Sequence, residues 1–275
     1  VMTAVTFFDA WFVGHLGNQA LASLALVFPF QALMQMMAVG AIGGGITSAI
    51  ARATGSGNFT VAKKIAFNGL LIAVCMSLIY TIILGFFSAN VFSLLSSSKE
   101  IISDAEKYAK VGFGGAIITW LFFALSSILR GLGDTYTPAK AIIIAGFLQV
   151  ILSGIFTLGF GGVIDLGIVG PAAAMIICHA LASLFLIPKI IGSNLLLKRQ
   201  DLALDWRAVC QILKVGGLGL VNSATIALTI VIVTSFVADF GVDALAGYGL
   251  GSRLELMLVP ISFGVGAALT AAVGT

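Results

Sequence analysis

The sequence has very few charged residues. Only 9% of its 275 residues are Asp, Glu, Lys or Arg, whereas 60% are hydrophobic and the mean hydropathy is +1.14. Soluble domains carry about 25% charged residues, because their surface has to be solvated. The composition therefore excludes a water-soluble enzyme. The net charge of +3 is also too small and too scattered to form a nucleic-acid-binding surface.

Cysteine is scarce as well, and its positions exclude several kinds of site. Cys75 and Cys178 lie inside apolar runs and Cys210 lies in a polar stretch, so we expect three free thiols rather than a disulfide or a metal site. The sequence also lacks the Gly-x-Ser-x-Gly, His-Glu-x-x-His and Cys-x-x-Cys motifs. No catalytic residue, metal site or cofactor is therefore predicted, and the chain is not expected to be an enzyme.

Long apolar runs take the place of the missing charge. The runs at 65–87 and 142–160 approach the ~20 residues that cross a ~30 Å hydrocarbon layer. We therefore predict an all-α polytopic membrane protein, in which the polar stretch 96–110 is a loop between helices. The predicted spans cover about 1–13, 20–51, 65–87, 111–129, 138–160, 172–191, 212–238 and 254–273.

Lysine and arginine are distributed unevenly between alternate loops. Short cytoplasmic loops keep an excess of positive charge. The loops after the second, fourth and sixth spans share one side of the membrane with ten of the 14 basic residues, so we expect that side to be cytoplasmic. These ten are Arg52, Lys63, Lys64, Arg130, Lys140, Lys189, Lys198, Arg199, Arg207 and Lys214, and the other four are Lys99, Lys107, Lys110 and Arg253.

The chain contains an internal repeat. The pattern G-x-x-A-L-A-x-x-x-L at 17–26 recurs at 241–250, and Gly40 matches Gly264 at the same offset of 224 residues. Both copies cross an extracytoplasmic turn, and six helices separate them. This arrangement predicts two parallel six-helix halves related by an axis along the membrane normal, as in some secondary transporters.

The repeat gives the expected domain organisation. We predict two pseudo-symmetric six-helix bundles, the second of which is truncated in this chain. The N-terminal bundle covers 1–192, a cytoplasmic linker covers 193–211, and the first two helices of the C-terminal bundle cover 212–275. Because the chain opens and closes within apolar stretches, we expect it to be part of a protein of about 450 residues, twice the repeat offset.

An ordered set of motifs resembles the multidrug and toxic compound extrusion (MATE) transporters along the whole chain. The first two helices carry D-A-W-F-V-G-H-L-G at 9–17, A-L-A at 20–22, G-G-G at 43–45 and A-R-x-x-G-x-G at 51–57. Further matches are R-G-x-G-D-T at 130–135 with Pro138, L-G-x-x-G-x-A at 166–172, and R-L-E at 253–255 with Pro260. The resemblance implies a multi-pass protein of the bacterial inner membrane.

Asp9 is the one carboxylate that lies clearly inside a predicted span. It precedes Gly14 by five residues, which places it about 8 Å below the outer helix end at ~1.5 Å per residue. An ionised carboxylate there costs roughly 2.5–3.5 kcal/mol and usually faces a bundle interior or a water-filled cavity. Asp9 is therefore the candidate coupling residue, and a structural acid bonded to a neighbouring hydroxyl or amide is the alternative. In MATE proteins an acid at this place binds the coupling cation, so the resemblance supports the coupling role.

Two polar residues on the fifth span are candidate partners of Asp9. Many MATE proteins carry Asn-x-x-x-Asp there, and the matching positions in this chain are Gln149 and Ser153. The four-residue spacing places both side chains on one helix face. They could hydrogen-bond Asp9, but the second negative charge is absent, which favours H+ over Na+ as the coupling ion. Interhelical hydrogen bonds without a role in coupling are the alternative.

The seventh span has no acid at its centre. Asn222 and Ser223 are its polar residues, and Val233 occupies the repeat position that matches Asp9. Asn222 could line a central cavity or could serve helix packing alone. MATE branches with a coupling carboxylate on this helix do not match, and the chain resembles the DinF-like branch more than the NorM-like branch.

Histidine and glycine receive structural interpretations. His15 lies at the end of a span and His179 is alone in the sixth span, so neither is predicted to be a ligand. The pairs Gly40-x-x-x-Gly44 and Gly247-x-x-x-Gly251 are expected to allow close helix approach.

The predicted function is cation-coupled export of amphipathic or cationic organic compounds by alternating access, with H+ as the favoured ion. The resemblance carries the substrate class, and Asp9 carries the coupling argument. The expected partners are these small molecules and the lipid bilayer, with no obligate protein partner and no nucleic acid. A lipid-linked oligosaccharide flippase of the same superfamily and a membrane-embedded enzyme are the alternatives; the first typically needs basic residues deep in the spans, and the second needs paired catalytic groups.

Overall fold

The computed structural model describes residues 2–159, 165–193, 203–252 and 254, with side chains from residue 4 onward, and these residues form an all-α protein. A single turn of 3-10 helix, Gly167–Val169, precedes the eighth helix, and residues 242–252 are helical. The helices are α1 (Met2–Gly14), α2 (Asn18–Gly55), α3 (Phe59–Phe86), α4 (Ser88–Ser93), α5 (Lys99–Gly112), α6 (Ala116–Gly131), α7 (Tyr136–Leu158), α8 (Gly170–Ile191) and α9 (Trp206–Ala238).

Five of the predicted spans are confirmed in the described part of the chain. By length and composition, α2, α3, α7, α9 and the segment Gly167–Ile191 that contains α8 can each cross a membrane. Helices α5 and α6 pass this test only as a pair, and they are bent by 49° at the break between them. Helix α1 is shorter and apolar. Most of the eighth predicted span lies outside the described residues.

The hydropathy pattern predicted a loop for the polar stretch 96–110, and this prediction is wrong. Ser98 accepts a hydrogen bond from the backbone N–H of Ile101 and caps α5, which runs through most of this stretch. Its buried face carries Ile101, Ala105, Tyr108 and Ala109, and its other face carries the charges. Averaged hydropathy misses such a helix, because the polar face cancels the apolar one.

The seventh span begins six residues earlier than predicted, at Trp206 rather than Ile212. The cause is a helix cap: the Asp205 carboxylate accepts hydrogen bonds from the backbone N–H groups of Arg207 and Ala208. A carboxylate at this position both satisfies the free N–H groups and interacts favourably with the helix dipole. The last part of the predicted linker 193–211 is therefore helical.

The two copies of the repeat share a backbone geometry. Gly17 and Gly241 both have positive φ, at 109° and 100°, which side-chain-bearing residues rarely adopt. The Gly17 N–H donates to Gly14 and the Leu21 N–H donates to Gly17, and the equivalent bonds recur 224 residues later, from Gly241 to Ala238 and from Leu245 to Gly241. The sequence repeat is thus also a structural repeat at this turn, while Gly264 lies outside the described residues.

The core lies between α2, α3, α6, α7 and α8, and α1 packs against α7. Large aromatic side chains fill it from α6, where Trp120, Phe122 and Phe123 are buried. Helix α9 packs along α2, next to a π-helical segment, Met36–Ile42, within α2. Single π-turns inside α-helices are often found near functional sites.

The predicted glycine contacts are not found among the described residues. A Cβ placed at Gly40, Gly44, Gly247 or Gly251 would meet nothing within 4 Å among the described atoms, apart from its own backbone surroundings. The close contacts instead involve Gly45, Gly216 and Gly219, at the crossing of α2 and α9. There a Cβ at Gly45 would overlap the Ile212 carbonyl oxygen, so glycine is needed for the two backbones to approach.

Candidate functional site

Asp9 is buried in the first half of the molecule, with 4% of its surface exposed. It lies on α1, five residues before the helix end at Gly14, and α1 packs against α7. Since aspartate side chains are rarely buried to this extent unless they are paired, this location is typical of a functional acid.

Gln149 on α7 is a hydrogen-bond partner of Asp9. Its Nε2 atom donates to Asp9 Oδ2 over 3.4 Å, and only 4% of Gln149 is exposed. The structure therefore brings together two residues 140 positions apart. The apolar surroundings singled out Asp9, and the resemblance to MATE transporters singled out Gln149. The Gln149 amide can donate to an oxygen of the Asp9 carboxyl group whether that group is ionised or protonated. This contact can therefore hold Asp9 in place while its charge changes.

The approach of α1 to α7 depends on a glycine beside the site. A Cβ at Gly154 would lie 2.7 Å from the Cζ atom of Phe12, which is one helical turn after Asp9. The Phe12 ring occupies the space that a side chain at position 154 would need. Gly154 thus allows α1 to lie close enough to α7 for Asp9 and Gln149 to meet.

Ser153 follows Gln149 on the same face of α7 and is fully buried. Its hydroxyl has no hydrogen-bond partner among the described residues, so it does not bind Asp9 directly in this structure. Thr157, four residues further on, is also buried, and its hydroxyl likewise has no hydrogen-bond partner among the described residues. Sequence reasoning missed Thr157, although the spacing Gln149, Ser153, Thr157 repeats every four residues and predicts a continuous polar face.

Asn222 is not part of this site. It is exposed on α9, whereas the neighbouring Ser223 is buried. Val233, the repeat counterpart of Asp9, is 37% exposed. Within the described residues, the polar site is therefore confined to the first half of the molecule.

The two histidines have local partners that account for their positions. His179 is buried, stacks on Phe122 with ring centroids 4.9 Å apart, and has its Nδ1 atom 3.1 Å from the Thr119 hydroxyl. His15 Nδ1 lies 2.9 Å from the carbonyl oxygen of Trp11. In the described part of the chain, no group of three or more His, Cys, Asp or Glu side chains is arranged to hold a metal ion.

An apolar groove of about 260 Å³ lies between α2 and α3. Phe30, Leu33 and Met37 line it from α2, and Met76 and Tyr80 line it from α3. Asp9 and Gln149 are on other helices, so this groove is separate from the polar site.

Comparison with known proteins agrees with this architecture. The chain is 26% identical over 264 residues to the probable multidrug resistance protein YoeA of Bacillus subtilis, covering 94% of this chain and 57% of that protein. It is also 26% identical over 267 residues to the FAD transporter of Shewanella oneidensis, covering 95% of this chain and 58% of that protein. The chain thus spans somewhat over half the length of these relatives.

Solved structures show the same fold. An inward-facing multidrug resistance MATE transporter of the MOP superfamily superposes with a TM-score of 0.86 at 25% identity, covering 95% of this chain and 59% of that one. The MATE multidrug transporter DinF-BH, solved as a complex, superposes with a TM-score of 0.83 at 23% identity over 93% of this chain and 57% of that one.

The described relatives are membrane transporters and not enzymes. The MatE family model matches residues 1–155, which include α1 to α6, Asp9 and Gln149. This match covers more than half of the chain and contains both members of the buried polar contact. The chain, a multi-pass membrane protein, therefore belongs to the MatE family.

Proposed function

We propose that this chain is the larger part of a proton-coupled antiporter that exports amphipathic organic compounds from the cytoplasm. The observation that carries the proposal is the buried Asp9, which is held by the Gln149 amide on a neighbouring helix. Export of drugs is supported by relatives that are named multidrug resistance proteins. Another relative is named as an FAD transporter. We therefore propose as substrates organic compounds that have both polar and apolar parts.

Coupling follows from the cost of burying a charge. An ionised Asp9 favours a conformation in which water or a cation can reach it, because a carboxylate in hydrocarbon is costly. A protonated Asp9 is neutral and fits a packed interface between α1 and α7. Protonation thus shifts the balance between two conformations, and a proton gradient can drive the opposite movement of substrate.

Proton rather than Na+ coupling is supported by the chemistry of the neighbouring side chains. The described partner Gln149 is a neutral amide, and Ser153 and Thr157 contribute only hydroxyl groups. Sodium needs several oxygen ligands and compensating negative charge. Of the three side chains on this face of α7, none adds a second carboxylate.

The test is the variant Asp9→Asn in the natural full-length protein, reconstituted in liposomes with an imposed pH gradient. Asparagine keeps the shape and the hydrogen bonding but cannot take up a proton, so we expect normal insertion and loss of proton-driven efflux. The matched control is Asp239→Asn, which makes the same change at an exposed carboxylate after α9 and should leave efflux unchanged. Full efflux by Asp9→Asn at wild-type expression would show that Asp9 has no role in the mechanism. Efflux that depends on Na+ and releases no protons would show that Na+, and not H+, is the coupling ion.

A further inference from the structure

Helix α7 carries a line of buried polar side chains that leads away from Asp9. Gln149, Ser153 and Thr157 are spaced by four residues and all are buried, the last two completely. Side chains with this spacing lie above one another on one helix face. At ~1.5 Å per residue the line extends about 12 Å, from the partner of Asp9 to the last turn of α7.

The hydroxyl groups in this line depart from the usual behaviour of Ser and Thr in helices. Such hydroxyls commonly donate to the carbonyl four residues earlier, as Ser127, Ser183 and Thr234 do in this chain. The Ser153 and Thr157 hydroxyls are buried without a hydrogen-bond partner among the described residues. Buried polar groups of this kind are usually satisfied by ordered water.

The far end of the line reaches the turn between α7 and α8. A Cβ placed at Gly170, the first residue of α8, would lie 2.6 Å from the Thr157 hydroxyl oxygen. The chain also closes on itself here, because the Leu166 N–H donates to the Phe156 carbonyl over 2.8 Å. By the distribution of basic residues, this turn is on the extracytoplasmic side. The line therefore runs from the outer end of α7 towards Gln149, the hydrogen-bond partner of Asp9.

We propose that Ser153 and Thr157, with water bound to their hydroxyl groups, form the path by which protons reach Asp9 from outside. The inference rests on the proposed coupling function of Asp9. A proton leaves the external water, passes along hydrogen-bonded water molecules and ends on a carboxylate oxygen of Asp9. Each hydroxyl donates one hydrogen bond and accepts another, and the Ser153 and Thr157 side chains are chemically unchanged after the transfer. No other reactant is consumed.

A proton path through these hydroxyls predicts a kinetic effect that a purely structural role for them does not predict. Removing a hydroxyl should slow proton delivery without changing which group is finally protonated. The affinity for substrate and the external pH at half-maximal protonation of Asp9 should therefore stay near their wild-type values, while the initial rate of proton uptake falls. A packing defect would instead change stability and substrate binding together.

The test uses Thr157→Val and Ser153→Ala, made separately in the natural full-length protein and reconstituted in liposomes. We expect the initial rate of proton uptake to fall about tenfold in each variant, which corresponds to ~1.4 kcal/mol in the barrier. Thr157→Ser keeps the hydroxyl and should restore the rate. The control Ser126→Ala removes a buried hydroxyl that is also unpartnered among the described residues but lies on α6, and it should have no effect.

The possible outcomes separate this inference from the proposed function. Wild-type proton uptake in both Thr157→Val and Ser153→Ala, together with an inactive Asp9→Asn, overturns the path and leaves the role of Asp9 intact. Active transport by Asp9→Asn overturns both. Equal slowing by Ser126→Ala also overturns the path, since it assigns the effect to the loss of any buried hydroxyl.

Discussion

Asn18 and Asp243 form a hydrogen bond that joins two segments 225 residues apart. The Asn18 Nδ2 atom donates to Asp243 Oδ1 over 2.8 Å. Asn18 begins α2 directly after Gly17, and Asp243 lies two residues after Gly241, in the helical segment 242–252. The contact therefore links the two copies of the structural repeat at the turn that the charge distribution places outside the membrane.

This contact should help to keep the outer ends of the two repeat copies together. Asn18→Asp replaces the hydrogen bond by repulsion between two carboxylates, while Asn18→Asp with Asp243→Asn restores a donor and an acceptor. We expect a cysteine at the buried position Leu245 to react about two- to five-fold faster with an external thiol reagent in the single variant, the range typical of an exposed pair. The double variant should return to the original rate. Equal labelling of all three proteins would show that the contact does not hold this end together.

The orientation in the membrane follows from the basic residues and can be tested with single cysteines. Native Cys75, Cys178 and Cys210 are first replaced. Ser56 lies between α2 and α3, Ser97 lies before α5, and both are exposed. In intact cells, an impermeant thiol reagent should label a cysteine at Ser97 and should label one at Ser56 only after permeabilisation. Labelling of Ser56 from outside reverses the assigned orientation and with it the outer location of Thr157.

Asn68 fastens the start of α9 to α3. Its side chain is fully buried, donates to the Ala203 carbonyl over 3.3 Å and accepts from the Asp205 N–H over 3.1 Å. Asn68→Ala leaves two backbone groups without these partners, so we expect a loss of about 1–3 kcal/mol for each group that stays buried. Thermal unfolding of the purified protein measures the effect. The control Asn90→Ala changes an exposed asparagine of α4 and should leave the melting temperature nearly unchanged.

The same junction should be sensitive to acid. A hydrogen bond from Lys64 is the largest cause that lowers the pKa of Asp205 below its ordinary value of 3.8. Because the pKa is lower in the folded state, Asp205 contributes stability above its unfolded pKa, and this contribution is lost as the pH falls through the folded value. Asp205→Asn keeps a capping side chain but has no charge. The difference in melting temperature between wild type and Asp205→Asn should therefore shrink as the pH is lowered from about 6 to about 3, and a difference that is constant across this range would contradict the charge contribution.

Hydropathy and the spacing of polar residues predicted much of the architecture. The apolar runs predicted the spans because each span has to satisfy its backbone internally in lipid. The repeat predicted the matching turns at Gly17 and Gly241. The position of Asp9 in a predicted span was readable because ionisable groups are rare against an apolar background. Gln149 and Ser153 were found through the resemblance to MATE transporters. The contact between Asp9 and Gln149 forms once both residues lie on helices at the predicted positions.

Other features depend on contacts that no local pattern specifies. Helix α5 was missed because its polar face masks the apolar one, and the start of α9 was missed because a single cap at Asp205 sets it. The glycine contacts were predicted from the four-residue spacing of Gly40 and Gly44, yet spacing does not say which face of a helix meets a neighbour. Thr157 lies one turn beyond the family pattern, so only burial of its hydroxyl draws attention to it.

The crossing of α2 and α9 provides a direct test of the glycine contacts. A Cβ at Gly219 would lie 2.9 Å from the Cα atom of Ala41, in the π-helical segment of α2. A Cβ at Gly217 would meet no atom of the described residues within 4 Å. Alanine in a helix interior is intrinsically favoured over glycine by about 1 kcal/mol. Gly217→Ala should therefore keep or slightly raise the stability of the protein.

Gly219→Ala should lower it, because the backbone of α2 cannot move aside as a flexible side chain could. Overpacking of this kind costs about 1–3 kcal/mol, which exceeds the gain in helix propensity. Thermal unfolding of the two variants in the same detergent compares residues two positions apart on one helix, so differences in expression or detergent binding are matched. If Gly219→Ala unfolds at or above the temperature of Gly217→Ala, the close approach of α9 to Ala41 is wrong, and the two helices are held together by contacts elsewhere along their length.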